Sequence, residues 1–149
     1  MKLAIASDHA GFHLKQQLLE TLKELNVEFD DLGTFDEKSV DYPDYGKKVA
    51  EGVAEGKYEQ GVLICGTGLG MAITANKVRG IRAVTAHDVF SAKMARMHND
   101  ANVLTMGERV VGPGVAAEVL KAWLATEFEG GRHQRRVDKM TALEEAWVN

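Results

Sequence analysis

Short apolar runs alternate with amphipathic stretches along this chain. Leu3-Ala4-Ile5-Ala6 is the first run, and it ends in Ser7-Asp8-His9. An unbroken apolar run bounded by polar residues predicts a strand buried on both faces. Leu14, Leu18, Leu22 and Leu25 then recur at helical spacing, so residues from about 11 to 26 are predicted as an amphipathic helix. Val27 to Leu32 reads as a second strand, closed by Gly33. Residues 33–44 are polar, and Asp41-Tyr42-Pro43-Asp44 has the composition of a turn. Tyr45, Val49 and Val53 mark a second helix. Val62-Leu63-Ile64 is a third strand, followed by Cys65, by glycines at 66, 68 and 70, and by a helical stretch from Met71 to Lys77. Ile81 to Thr85 is the fourth strand. Phe90, Met94 and Met97 line the next helix, which ends around His98-Asn99. Ala101 to Thr105 is the fifth strand, and Pro113 opens a helix running through Val119, Leu120, Trp123 and Leu124.

Strict alternation of strand and helix implies an α/β fold. The expected form is a three-layer α/β/α Rossmann-like sandwich, with a five-stranded parallel sheet and right-handed crossovers. Ligands in such sheets bind beyond the C-terminal strand ends. Asp8, His9 and Cys65 all follow strands, so they fall along that one edge.

The tail departs from the alternation. Residues 130–136, Gly-Gly-Arg-His-Gln-Arg-Arg, lead into Val137, Met140, Leu143 and Trp147 at spacings of three and four. This predicts a last helix with an apolar stripe and no strand after it. Such a stripe either covers a partner subunit or folds back on its own domain. Arg132, Arg135 and Arg136 at a helix N-terminus oppose the helix dipole, and a bound phosphate would account for them.

Composition narrows the class. At 149 residues the chain reads as one domain, 1–149, without repeats, low-complexity tracts or linkers. A net charge of −4 argues against nucleic acid or an anionic membrane as the main partner. One cysteine cannot form an internal disulfide, which fits a reducing compartment. Met1-Lys2 leads into too short an apolar run for a signal sequence, and no run approaches the ~20 residues of a membrane span. The expected location is the cytoplasm.

The candidate chemistry centres on Cys65. A strand, a glycine-rich turn and a helix N-terminus leave backbone N–H groups facing outward, and the helix dipole adds partial positive charge. Such a field favours a thiolate. The stretch therefore offers a nucleophile or base beside an oxyanion cradle, although a lone cysteine at a strand end is also a common buried hydrophobe. Several motifs are excluded. No G-K-[ST] follows, as a P-loop requires, and the glycines do not space as G-x-G-x-x-G. There is no C-x-x-C pair. A thiol phosphatase loop closes on an arginine where Met71 stands. His9 and His13 beside Asp8 make only a weak metal signal, without H-E-x-x-H or a second cysteine. His13 reads as a surface residue, His87 has no distinguishing context, and His98 suits a helix C-terminus as a cation.

Together these blocks resemble the ribose-5-phosphate isomerase B family, which includes the galactose-6-phosphate isomerase subunits. The resemblance rests on residues 7–11 (SDHAG), 41–43 (DYP), 64–70 (ICGTGLG), 75–77 (ANK), 80–82 (GIR), 98–103 (HNDANV) and 130–134 (GGRHQ), and runs nearly end to end. It implies metal-free, cofactor-free aldose–ketose isomerisation of a phosphorylated sugar through an enediolate, with ribose 5-phosphate and ribulose 5-phosphate as the expected pair. On that resemblance Cys65 is the base, with the Thr67 hydroxyl hydrogen-bonding it. The backbone N–H groups of Gly66, Gly68, Leu69 and Gly70 hold the enediolate oxygen. His98 opens the sugar ring. Asp8, His9, Tyr42 and Asn99 hold sugar oxygens. Arg132 and Arg136 clamp the phosphate, assisted by Arg109, and Arg135 has no assigned role.

In the two-subunit galactose-6-phosphate enzymes, as the resemblance has it, the cysteine loop and the His-Asn and Gly-Gly-Arg-His blocks lie on different chains. This chain carries both sets, so it is expected to be a homodimer or homotetramer. Allose 6-phosphate, galactose 6-phosphate and tetrose phosphates stay open as substrates. A non-catalytic sugar-phosphate sensor could dispense with Cys65 and His98. A nicotinamide-dependent oxidoreductase would need more than the single glycine of the first turn. One topological expectation follows. Cys65 ends a strand, whereas His98 ends a helix that runs back antiparallel, and Arg132 and Arg136 begin on that far side. A strand of five or six residues spans ~17–20 Å, too far for one small sugar phosphate. A partner subunit, held in part by the tail (about 130–149), is therefore expected to bring these residues to Cys65.

Overall fold

The computed structural model describes residues 1–148; Asn149, the last residue of the tail assigned to the interface, lies outside them. Five parallel strands form one sheet: β1 (Lys2–Ser7), β2 (Glu28–Asp31), β3 (Gln60–Cys65), β4 (Ala83–Thr85) and β5 (Val103–Gly107). Their order is β2-β1-β3-β5-β4. The three central strands carry the apolar runs and are buried almost throughout. The edge strands are short, and β2 is acidic, which discourages pairing with another chain.

Among the described residues, six α-helices complete the fold: α1 (Phe12–Glu24), α2 (Tyr42–Ala54), α3 (Leu69–Ala75), α4 (Val89–Asn99), α5 (Pro113–Leu124) and α6 (Arg132–Val148). Side chains alternate across a strand, and β3 shows what this does. Val62 and Ile64 join Leu3, Ile5, Leu14, Leu18 and Trp123 in a core under α1, α4 and α5. Leu63 and Cys65 join Ala4, Val49, Met71 and Val103 in a second core under α2 and α3. The chain therefore leaves β1 towards one face and β3 towards the other. The crevice between those two adjacent strand ends is where the fold opens a site.

Three expectations shift. Tyr42 lies in the first turn of α2, not in a turn before it, because Asp41 starts the helix and Pro43 is pre-organised for its first turn. α3 begins at Leu69, since Gly68 turns the chain with φ +81° and needs no further linker. On α4 the buried residues are Ala92 and Ala95, while Phe90 is 72% exposed. The helix packs closely through its alanines, and the larger side chains at 90, 94 and 97 do not form its buried face. Among the described residues no helix is long and apolar enough to cross a membrane.

Candidate active site

The crevice is closed by the first turn. Asp8 N–H donates to the Ile64 carbonyl at 3.2 Å. A Cβ at Gly11 would meet that carbonyl oxygen at 2.5 Å, so only glycine lets the turn approach β3. Buried Asp8 caps the turn, its Oδ1 accepting from Gly11 N–H at 3.1 Å. His9 Nδ1 accepts from Val40 N–H at 3.1 Å. An amide only donates, so Nδ1 is bare and Nε2 carries the proton. His9 thus lines the pocket as a neutral ring with one N–H to offer.

Cys65 forms the pocket floor. Gly68 N–H donates to its Sγ at 3.2 Å. The sequence expectation of a Thr67–Cys65 hydrogen bond is corrected here: Thr67 Oγ1 accepts from Leu69 N–H at 3.3 Å, and the backbone of Gly68 meets the sulfur instead. A hydroxyl two residues before an amide closes a local turn more readily than it reaches back. The amides of Gly66, Thr67 and Gly70 have no hydrogen-bond partner among the described residues. Tyr42 lies over Gly70, where a Cβ would come within 2.7 Å of its ring, and Arg109 lies over Gly66. Asp8, His9, Tyr42, Cys65, Gly66, Thr67, Gly70 and Arg109 line one open pocket. Gly68 is buried beneath it and Leu69 is exposed beside it.

Supports that sequence reasoning missed hold this loop. Glu108 N–H donates to the Cys65 carbonyl at 3.0 Å and Arg109 N–H to the Gly66 carbonyl at 3.1 Å, so the β3–β5 ladder runs past the strand ends. Gly107 must be glycine, because a Cβ would meet the Thr67 backbone at 2.5 Å. Its N–H donates to His87 Nε2 at 2.8 Å, which fixes His87 as neutral with its proton on Nδ1. Burial pushes the His87 pKa below its ordinary value, against the smaller pull of Asp88. Glu108 Oε1 accepts from Leu14 N–H at 2.6 Å and so caps α1. Nothing in the sequence singled out His87, which stands two residues past β4, or Glu108.

A second cluster lies elsewhere. His98 and Asn99 end α4, and Asp100 follows with φ +45°. Arg82 Nε donates to the carbonyls of Asn99 at 3.1 Å and Asp100 at 3.0 Å, and Arg96 Nη1 reaches Asp100 Oδ1 at 3.0 Å. The His98 ring stacks on His133 at 4.1 Å with the planes 10° apart. Glu129 Oε2 stands 3.4 Å from His133 Nε2. Burial first, then the charges of His98, Arg132 and Arg136, push the His133 pKa down, and Glu129 opposes them. The nitrogen and oxygen ligand atoms of His98, Glu129 and His133 lie within 4.8 Å of one another. The two rings are nearly parallel, however, so their in-plane lone pairs run side by side instead of converging on one ion. Arg132, Arg135 and Arg136 are exposed at the start of α6, and none has an ion-pair partner among the described residues.

The two clusters face different ends of the sheet. Gly61 pairs with Val103 and Cys65 with Gly107. His98 and Asn99 precede the start of β5, and Cys65 sits level with its end, about 13 Å along the strands. None of His98, Asn99, Arg132 and Arg136 lines the Cys65 pocket. On α6, Val137 is buried, whereas Leu143 is 67% and Trp147 90% exposed. The stripe folds back on its own chain at Val137, and its outer part, Leu143 and Trp147, is left exposed.

Comparison with known proteins matches residues 3–140 to the Ribose/Galactose Isomerase family. Ribose-5-P isomerase B of Listeria innocua is 50% identical, over 97% of this chain and 98% of its own. D-erythrulose-4-phosphate isomerase of Pectobacterium atrosepticum is 41% identical, over 94% of this chain and 93% of its own. The solved ribose-5-phosphate isomerase B of Clostridium thermocellum superposes with a TM-score of 0.97 at 50% identity, each chain covered over 99%. The chain belongs to the ribose/galactose isomerase family of sugar-phosphate isomerases.

Proposed function

We propose that this protein interconverts ribose 5-phosphate and ribulose 5-phosphate without a metal or other cofactor. The observation that carries this reading is Cys65 at the pocket floor with a backbone N–H on its sulfur, beside the unpartnered amides of Gly66, Thr67 and Gly70. His98 moves the proton that opens the sugar ring. The Cys65 thiolate then takes the C2 proton of the aldehyde form, and electrons shift to O1 to give the enediolate. Unpartnered amides in a prearranged cradle stabilise that charge, at several kcal/mol per good donor in comparable sites. Cys65 returns the proton to C1, and a proton moves from O2 to O1. Thr67, whose oxygen already holds the Leu69 amide, has its hydroxyl proton left to donate there.

Asp8, His9, Tyr42 and Asn99 hold the sugar oxygens. Arg132 and Arg136 hold the phosphate with Arg109. Since His98, Asn99 and the tail arginines do not line the Cys65 pocket of their own chain, a partner subunit supplies them across a two-fold axis. The uncovered Met140, Leu143 and Trp147 of α6 suit that contact. A tetrose phosphate is the second reading for the substrate, favoured by the erythrulose-phosphate relative. The test is a coupled assay with ribose 5-phosphate, allose 6-phosphate and erythrose 4-phosphate, with and without EDTA. Highest kcat/KM on ribose 5-phosphate, unchanged by EDTA, is expected. A stronger preference for another sugar, or loss on chelation restored by a divalent ion, would overturn the reading.

A further inference from the structure

We infer that Thr105 is a positioning residue for the reaction: its buried hydroxyl anchors the Gly68 carbonyl, and so aims the Gly68 N–H at the Cys65 sulfur. This rests on the reading of Cys65 as the base. Thr105 lies in the apolar run of β5, between Leu104 and Met106, and is wholly buried. A hydroxyl there costs stability unless it is paired, and valine would fill the same space. Its partner is the Gly68 carbonyl, 2.8 Å from Thr105 Oγ1. Thr85, level with Thr105 on β4, lies 2.8 Å from Thr105 Oγ1 and 3.4 Å from the same carbonyl. Each hydroxyl has one proton to give. The shorter contacts assign them: Thr105 donates to Gly68, and Thr85 donates to Thr105. Such a chain of hydroxyls strengthens the inner bond.

Gly68 has φ +81° and ψ −16°, and a Cβ on it would meet the Met106 backbone at 2.9 Å. Glycine is needed there, yet glycine has little conformational preference of its own. The Thr105 bond supplies the shorter of two restraints on its carbonyl, the other being the Ala72 N–H at 3.1 Å. With the carbonyl tied down into the sheet, the residue's own N–H stays 3.2 Å from Cys65 Sγ. The following amide, Leu69 N–H, points the opposite way, towards Thr67 Oγ1.

The test uses the full-length protein with Thr105→Val, which keeps the shape and removes the donor, and Thr105→Ser, which keeps the donor. Two quantities are read: the rate of Cys65 alkylation by iodoacetamide at pH 7, and kcat against KM on ribose 5-phosphate. Thr105→Val should slow alkylation and lower kcat by about tenfold, as loss of one hydrogen bond to a charged group implies, with KM within about twofold. Thr105→Ser should restore both. Should the valine variant not fold, Thr105→Ala carries the same prediction. A folded variant with wild-type alkylation and kcat overturns the inference, as does a loss of kcat that the serine variant shares. Failure of the Cys65 reading shows separately, as turnover surviving in Cys65→Ala, while the alkylation rate still tests the link from Thr105 to the sulfur.

Discussion

Cys65 ends a buried central strand and is held from below by β5, while His98 ends a helix whose basic neighbours stand in solvent. Around Cys65 the backbone is tied at Glu108, Arg109 and Gly107, and glycines sit wherever a Cβ would collide. Around His98 the backbone is also tied, through Arg82, Arg96 and Asp100, and His133 stacks on the ring. What differs is completeness. The first cluster encloses a pocket with amides ready for an anion. The second presents Arg132, Arg135 and Arg136 without acidic partners among the described residues, on the helix where those residues leave Leu143 and Trp147 exposed. In the proposed reading, the first region holds the acid–base and oxyanion groups and lacks a strong phosphate clamp, and the second holds the clamp and lacks a cradle. Each has what the other lacks, and the proposal that they are halves of one site rests on that complementarity.

The largest effects should separate the halves by role. Cys65→Ala should lower kcat by about a thousandfold or more, within the range for removing an acid–base group, with sugar-phosphate binding by calorimetry nearly unchanged. Arg132→Ala should do the reverse, raising KM about 10- to 100-fold as a lost charge-assisted bond to phosphate implies, with a smaller change in kcat. Equal effects of both on kcat and KM would erase the division.

His98→Asn should sharpen it further. If His98 serves ring opening, turnover of ribose 5-phosphate should fall about a hundredfold. Turnover of erythrose 4-phosphate, which has no stable ring form, should fall far less. Matching losses on the two sugars, measured where the wild type turns over both, would remove His98 from that step.

The smallest effect concerns pH. His87 is held neutral in the fold, its pKa below the ordinary 6.5, chiefly by burial. The unfolded chain therefore takes up the proton first. Stability is full above pH 6.5 and is lost as pH falls through that value towards the lower folded pKa. His87→Gln, which keeps an acceptor for Gly107 N–H, should flatten that loss in thermal melts between pH 7 and 5. It should not abolish it, because His133 is depressed in the same direction. An unchanged melt profile would mean that His87 does not contribute.

How much of this the sequence carried depends on the length scale of the cause. Strand–helix alternation and the Gly66–Gly70 turn are local patterns, and they yielded the sheet and the cradle. The resemblance to sugar-phosphate isomerases named the remaining site residues. The place of Tyr42 was misread because Asp-Tyr-Pro-Asp suits a turn and a helix start alike. Thr105 and Glu108 act across strands on a loop some forty residues earlier in the chain, and His87 acts on Gly107, 20 residues later, so no local pattern exposes them. Thr105 alone left a trace, as a hydroxyl inside an apolar run.

The central claim is that two chains share each site, and mixing inactive variants tests it most directly. Cys65→Ala and His98→Ala proteins are dissociated reversibly, combined in equal amounts and allowed to reassociate. In each mixed dimer one site collects both defects and the other is intact. Random reassortment should therefore recover about a quarter of wild-type sites, as two-fold symmetry requires. No recovery despite confirmed subunit exchange would mean that each chain builds its own site, and the two clusters would not be halves of one.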